Sequence, residues 1–463
     1  MINKELATKV LQECLATGAD FAEIFYEVKT TNTISMVSKM IKNSDTSVIT
    51  GVGIRILKEL QEVYGYTNEV DEASLMELAA RLASSYNSAP LGIEFELVYS
   101  ESPKMSTITR YSKDIPNSEK VKYLDVISNA AYGHSEKIIQ VMANLVDETQ
   151  YVTIYNTNGL YKTDVRNHQR ITATAVAKDG DAMESYYEQY GGNFGIEYFE
   201  NYDWVEFGES IAKNAIKQLS AIDIPGGVYD VVIHNAFGGV IFHEACGHSL
   251  EATSVAKNLS VFSGKIGTQI ASSCVTAIDD GAIVDEWGSA GIDDEGNETK
   301  KNVLIKDGIL TGYMIDSRNS RRMNMPPTGN TRRESYKFSP TSRMTNTYID
   351  NGESTVEEII AATKYGIFAK KMGGGSVNPA TGEFNFSVGE GYLIEDGKIT
   401  TPIKGATLIG SGQDTLLKID MVANNRSFGY GMCGSVSGSI PACVGQPTIR
   451  VRNMTVGGKG GNK

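Results

Sequence analysis

Residues 240–248 read Val240-Ile241-Phe242-His243-Glu244-Ala245-Cys246-Gly247-His248. Two imidazoles bracket a carboxylate at the end of an apolar run. A hydrolytic zinc centre needs neutral nitrogen ligands, an open coordination position for water and a carboxylate that can take a proton from that water. Residues of those types fall within one hexapeptide here. Core packing is the competing reading of two such histidines. The chain holds only five histidines, His134, His168, His234, His243 and His248; two of them beside one glutamate favour a metal site.

The spacing departs from the short motif in which two histidines stand four apart on one helix face. Five apart on an ideal α-helix, they diverge by roughly 140°, because each residue turns about 100°. The reading therefore expects a distorted turn, with Gly247 permitting a π-type widening that brings His243 and His248 into line.

Two histidines do not complete a catalytic zinc site, which takes three protein ligands. His234 is one candidate, at the end of the strand predicted over Val228–Ile233, either as a ligand or as a residue that supports one. The cysteines offer a better third donor. Cys433 lies in Phe428-Gly429-Tyr430-Gly431-Met432-Cys433-Gly434, whereas Cys443 lies in the more apolar Ile440-Pro441-Ala442-Cys443-Val444. A thiolate on a glycine-flanked loop is the more accessible, so Cys433 is preferred to Cys443.

Outward from the motif, three units are expected. The first, residues 1–100, opens with an amphipathic helix marked by Ile2, Leu6, Val10 and Cys14 and stopped at Gly18. A strand over Val52–Ile56 and a helix over about 73–83 follow. The second, residues 101–222, has helical periodicity around Val121, Leu124, Ile127 and Ala131, then strands joined by an Asn158-Gly159 turn. His134 and His168, in this unit, read as surface or structural residues. The third, residues 223–463, carries the motif helix and then hairpin signals at Asp279-Asp280-Gly281, Lys306-Asp307-Gly308 and Glu395-Asp396-Gly397. The fold class is α+β, with N-terminal α+β units followed by a β-rich C-terminal domain that bears the site. The final residues, 459–463, are expected to fray.

At these residues the chain resembles the TldD/PmbA family, and within it the TldD-type, metal-bearing members. The resemblance runs through His243 to His248, Ile292-Asp293-Asp294-Glu295-Gly296, Arg343-Met344-Thr345-Asn346-Thr347-Tyr348, and Gly445-Gln446-Pro447-Thr448 through Val456-Gly457-Gly458. It implies a zinc-dependent peptidase acting on peptides or unfolded segments, with His243, His248 and Cys433 holding Zn2+ and Glu244 as the general base. Cys246 is not among the ligands so implied and reads as a small buried side chain. The resemblance also implies a homodimer or a pair with a metal-lacking relative of PmbA type. The first two units would wall such an assembly, and an extended substrate would add a strand to a sheet edge.

Composition fits these expectations. Of 463 residues 41% are hydrophobic, and Lys and Arg (43) against Asp and Glu (56) leave a net charge of −13, which disfavours direct contact with nucleic acid. Charges interrupt the first residues, so no signal peptide is read there, and no apolar stretch is long enough to span a membrane. Five cysteines, with no CxxC pair, suit reduced thiols in a cytoplasm. No phosphate-binding motif is present at Gly373-Gly374-Gly375. The basic cluster Arg318, Arg321, Arg322, Arg332 and Arg333 reads as a solvated or interface feature, or alternatively as donors for a substrate carboxylate or oxyanion. Two other classes remain: a non-catalytic regulatory or binding subunit, in line with the family's historical label as a modulator of DNA gyrase, and a thiol enzyme using Cys433 or Cys443.

Overall fold

The computed structural model describes residues 2–378 and 381–459; the expected fraying of the last residues concerns positions that, Lys459 excepted, lie outside these. The opening helix forms over Lys4–Cys14, and Gly18 adopts φ +88° after it. The second expected helix spans Glu72–Ala83, and the third spans Asn117–His134. Each buries one apolar face, as the periodicity requires.

Strands Phe21–Val37, Met40–Lys58, Gln61–Thr67, Val98–Glu101, Ile138–Asn156, Leu160–Asp179 and Ala182–Asn193 form one seven-stranded sheet. Its central seam is the antiparallel pairing of Phe21–Val37 with Ile138–Asn156. The Asn158-Gly159 turn joins the long strands Ile138–Asn156 and Leu160–Asp179, with Gly159 at φ +86°. Lys120 and Asp147 form a buried ion pair at 2.6 Å beneath this sheet. Among the described residues no helix is long and apolar enough to cross a membrane.

The C-terminal part is β-rich. Strands Tyr365–Val377, Gly227–Ile233, Ile449–Gly457, Thr407–Ser411 and Glu383–Glu395 pair in that order, and Tyr365–Val377 also pairs Glu383–Glu395, which closes a five-stranded ring. Closure removes the exposed edges that an open sheet would leave. A second, six-stranded sheet runs from Ile309–Leu310 through Ala277–Asp280 and Asn346–Ile349 to the hairpin Ser427–Ser435 and Gly438–Gln446. One core joins the two: Ile241, Phe242 and Ala245 of the motif helix pack with Val231 and Ile233, Phe384 and Phe386, and Met344 and Val444.

Two of the three hairpin signals mark tight hairpins. Asp307 and Gly308 join Lys301–Lys306 to Ile309–Leu310, and Asp396 and Gly397 join Glu383–Glu395 to Lys398–Lys404, all four residues having positive φ. The third marks a turn that leads into a long connection. Asp279 and Asp280 end a strand, and buried Asp279 accepts hydrogen bonds from Thr345 N at 2.8 Å and from the hydroxyls of Thr345 and Thr347 at 2.6 Å each. An aspartate with this many donors is a strand acceptor, which turn statistics do not distinguish.

The N-terminal sheet is joined to the C-terminal part by buried charge. Arg55 bonds Glu23 at 2.8 Å and Glu295 at 2.7 Å, Arg333 bonds Glu23 at 2.6 Å, and Arg166 bonds Asp294 at 2.8 Å. The Asp293-Asp294-Glu295 segment is therefore a buried joint. Removing one member of such a network leaves uncompensated charge in a low-dielectric setting. Arg55→Met is expected to lower stability by about 3–5 kcal/mol, read from urea unfolding against the unmodified chain.

Candidate metal centre

The motif helix is short, Val240–Ala245, and too brief to hold itself in water; its apolar side is fixed by the shared core. The expected π-type widening is not what bends it. The α-helix stops at Ala245, Cys246 takes φ −129° and ψ −48°, and a tight 3-10 turn, Gly247–Leu250, follows. Gly247 is not in the left-handed region, but a Cβ there would collide with Met344 Sδ. The glycine supplies room for Met344, and the break at Cys246 supplies the change of direction.

That break brings the histidines together. Their rings stand 5.0 Å apart at 84°. His243 Nε2 and His248 Nε2 each lie 3.4 Å from Cys433 Sγ, and the three atoms lie within 4.8 Å of one another. Zinc bonds of about 2.0–2.1 Å to nitrogen and about 2.3 Å to sulfur place tetrahedral N and S ligands about 3.5 Å apart. The donor set therefore fits a zinc ion in both chemistry and spacing.

Cys433 reaches the helix because its strand belongs to a hairpin whose other strand, Gly438–Gln446, packs on the turn before the helix. A Cβ on Gly239 would stand 2.5 Å from Gly445 O. Fully buried Arg343 fixes the hairpin tip, donating to Cys433 O, to Ser437 Oγ at 2.8 Å and to Gly438 O at 3.0 Å. Met344, the next residue, fills the space over Gly247. The Arg343-Met344 pair thus holds both sides of the site. The sequence reading missed this positioning role; the only signal was that the two residues belong to a shared motif.

Glu244 is more open than the three donors, its side chain 28% exposed, and its Oε2 stands 3.7 Å from His248 Nε2. His248 Nδ1 lies 3.3 Å from Glu251 Oε1 on the opposite side of the ring. A carboxylate behind a ligating imidazole fixes its tautomer and raises its basicity. Burial disfavours the Cys433 thiolate, but His243 and His248 outweigh it and bring the thiol down to about 3. Burial also opposes charge on His248, yet Glu251 and Cys433 hold its pKa well above the usual value.

The remaining candidates lie elsewhere. His234 Nδ1 pairs with Thr448 Oγ1 at 2.9 Å. Cys443 is buried, its Sγ 3.4 Å from Gly429 O and 3.7 Å from Glu286 Oε2, and burial with the Glu286 charge pushes its thiol well up. Cys246 is fully buried among apolar side chains. His134 is exposed at a helix end, whereas His168 is buried with Trp287 edge-on at 5.2 Å. Of the basic cluster, Arg332 and Arg333 are buried, and Arg321 pairs with Asp20.

Family models for PmbA/TldA metallopeptidases match the chain in three parts: domain 1 over residues 22–85, the central domain over 110–219 and the C-terminal domain over 226–458. The metalloprotease TldD homolog of Haemophilus influenzae is 36% identical over 451 residues, covering 95% of this chain and 93% of that protein. A zinc metalloprotease TldD homolog of Saccharolobus solfataricus is 26% identical, covering 97% and 99%. Among solved structures, TldE of Thermococcus kodakarensis superposes with a TM-score of 0.76 at 17% identity, covering 98% of each chain. A Thermotoga maritima protein described as a candidate modulator of a DNA gyrase gives 0.81 at 21% identity, covering 98% and 99%. At such identities the structural likeness concerns the fold.

Proposed function

The chain belongs to the PmbA/TldD metallopeptidase family, and from that premise we propose that it is a zinc-dependent peptidase that hydrolyses peptides or unfolded segments. The observation that carries the reading is the convergence of His243 Nε2, His248 Nε2 and Cys433 Sγ beside the accessible carboxylate of Glu244. The printed names of the TldD relatives, one of them a zinc metalloprotease, support it.

His243, His248 and Cys433 would hold zinc, which would supply a Lewis acid for water and the scissile carbonyl. Glu244 takes the proton from the attacking water and returns it to the leaving amine. Glu251 keeps the His248 ring oriented from behind, and Arg343 keeps Cys433 at the hairpin tip facing the histidines. The acidic net charge supports a protein that makes no direct contact with nucleic acid, and the reduced cysteines support a cytoplasmic setting. The site's working form is a dimer, with a second copy or with a PmbA-type relative, that admits flexible chains.

His243→Ala, His248→Ala and Cys433→Ser are each expected to lower bound zinc in the purified protein, measured by elemental analysis, while Cys443→Ser keeps it. The opposite pattern for the two cysteines would reverse the assignment.

Glu244→Gln preserves shape but cannot accept a proton. Zinc content is expected to persist while peptide hydrolysis falls by about 10²–10⁴-fold. Near-normal turnover in the zinc-loaded variant would remove Glu244 from the base role.

A folded protein and its denatured form, offered at equal concentration, are expected to be cut at very different rates, with the denatured form preferred. Light scattering should find the active species dimeric. A fully active monomer, or equal rates on both substrates, would contradict the restricted-access reading.

A further inference from the structure

Three alternate residues of strand Leu160–Asp179, namely Arg166, His168 and Arg170, point to one face of the N-terminal sheet, as a strand's two-residue period requires. Their cross-strand partners are Gln150, Glu148 and Val146. Together with Lys29 they floor a cavity of about 190 Å3. The roof includes Arg332 and the Cys433 hairpin itself: Met432, Ser439, Ile440 and Pro441. Met432 directly precedes Cys433, and Arg332 Nη1 donates to the carbonyl of Pro441, the cross-strand partner of Met432.

The charges around this cavity do not cancel. Arg166 is paired with Asp164 and Asp294, Arg333 with Glu23, and Lys29 with Glu148 and Glu27. Glu334 accepts from Ser439 N at 2.7 Å. Arg332 and Arg170 have no carboxylate in ion-pairing range among the described residues. Arg332 is buried and bonds only the carbonyls of Met344 and Pro441; burial, with the neighbouring Arg166 and Arg343 and against the more distant charges of Asp294 and Asp279, brings its pKa down to about 10. Arg170 lies over the Trp287 ring at 5.2 Å.

His168 is the second, independent sign. It is 4% exposed, it lines the cavity, and neither ring nitrogen makes a hydrogen bond of full geometry, the Trp287 backbone being the only polar group among the described residues close enough to act on it as an acceptor. A buried donor without an acceptor is unfavourable unless something else satisfies it. Two unpaired guanidinium groups and one imidazole N–H without a full hydrogen bond, facing a single small space, make up a donor set for a planar anion.

We propose that this cavity binds a carboxylate of the peptide substrate, received by Arg332, Arg170 and His168, and so gives the peptidase a preference for an anionic group near the bond to be cut. The inference rests on the peptidase reading above. The carboxylate is either the chain end or an acidic side chain. An extended chain advances about 3.3 Å per residue, so a cavity that shares the Cys433 hairpin lies within reach of a substrate engaged at the site.

The test is calorimetric binding to the zinc-loaded Glu244→Gln protein, which holds substrate without cutting it. The probes are acetylated penta-alanine with a free C-terminal carboxylate, the same peptide as its amide, and five further amides that carry one Glu at each position in turn. The expected result is binding at least about tenfold tighter for the free acid or for one of the Glu amides than for the plain amide; which of them gains identifies the source of the carboxylate. Arg170→Gln, a substitution that breaks no hydrogen bond and no ion pair, should reduce that gain, as should His168→Phe, with the melting temperature of each variant confirming its fold. Equal affinity across the series, or a gain unchanged by both substitutions, would overturn the carboxylate site and leave the peptidase reading intact. Absence of binding by every peptide would count against the peptidase reading itself, and the carboxylate site would fall with it.

Discussion

The site depends on one close approach of backbone to backbone. Gly239 lies so near Gly445 that a β-carbon would have to stand 2.5–2.6 Å from its N, C and O atoms. The turn before the motif helix and the strand after Cys433 can therefore touch only because Gly239 lacks a side chain, while Gly445 leaves room for Phe428 and Tyr348. Everything at the metal centre follows from that contact: it sets the hairpin against the helix, and Arg343 and Met344 then lock its tip and its roof. A larger residue at Gly239 would push the hairpin from the helix and so separate the sulfur donor from the nitrogen donors without changing any of the three.

This explains what was legible in the sequence. The residue types of the centre could be read directly, because chemistry restricts which side chains hold zinc and take a proton. The helices Lys4–Cys14 and Glu72–Ala83 were legible from periodicity and caps, and the Asn158-Gly159 turn from its own stereochemistry. The way His243 and His248 are aligned was not. Residues five apart converge here through a helix broken at Cys246 and a 3-10 turn, and the space over Gly247 in that turn is filled by Met344, about a hundred positions away. Local spacing carries no information about such a neighbour. Asp279-Asp280-Gly281 shows the same limit: the turn it suggests is present, but the long connection after it and the partners of Asp279, Thr345 and Thr347, lie far along the sequence.

Buried charge does two different jobs in this fold. Across the joint, each cation has a matched acid: Arg55 with Glu23 and Glu295, Arg166 with Asp294, Arg333 with Glu23. Matching of this kind favours the observed placement of the two parts, since a shift that broke one pair would leave charge buried without a partner. At the cavity under the Cys433 hairpin the matching stops. Arg332 and Arg166 are both buried and line the same cavity, yet only Arg166 has carboxylates within ion-pair distance, Asp294 and Asp279 acting on Arg332 from farther away. The cations that join the two parts are thus paired with acids, whereas Arg332 and Arg170 have no carboxylate within ion-pair distance among the described residues, at a cavity that Met432 and Pro441 of the Cys433 hairpin line.

The net charge of −13 does not cancel that local excess. Acidic side chains on the outer surface act through water and salt, where their influence decays over about 8 Å at physiological ionic strength. Arg332 and His168 act across a small, partly desolvated space, where the same unit charge and the same N–H are worth several times more. Over a long range, then, the molecule repels anions weakly; once a flexible chain has reached the hairpin, the cavity attracts a carboxylate strongly. The combination favours anionic groups delivered on an extended segment that the backbone around the site already holds, over free anions in solution, and it ties recognition of charge to prior engagement of the chain.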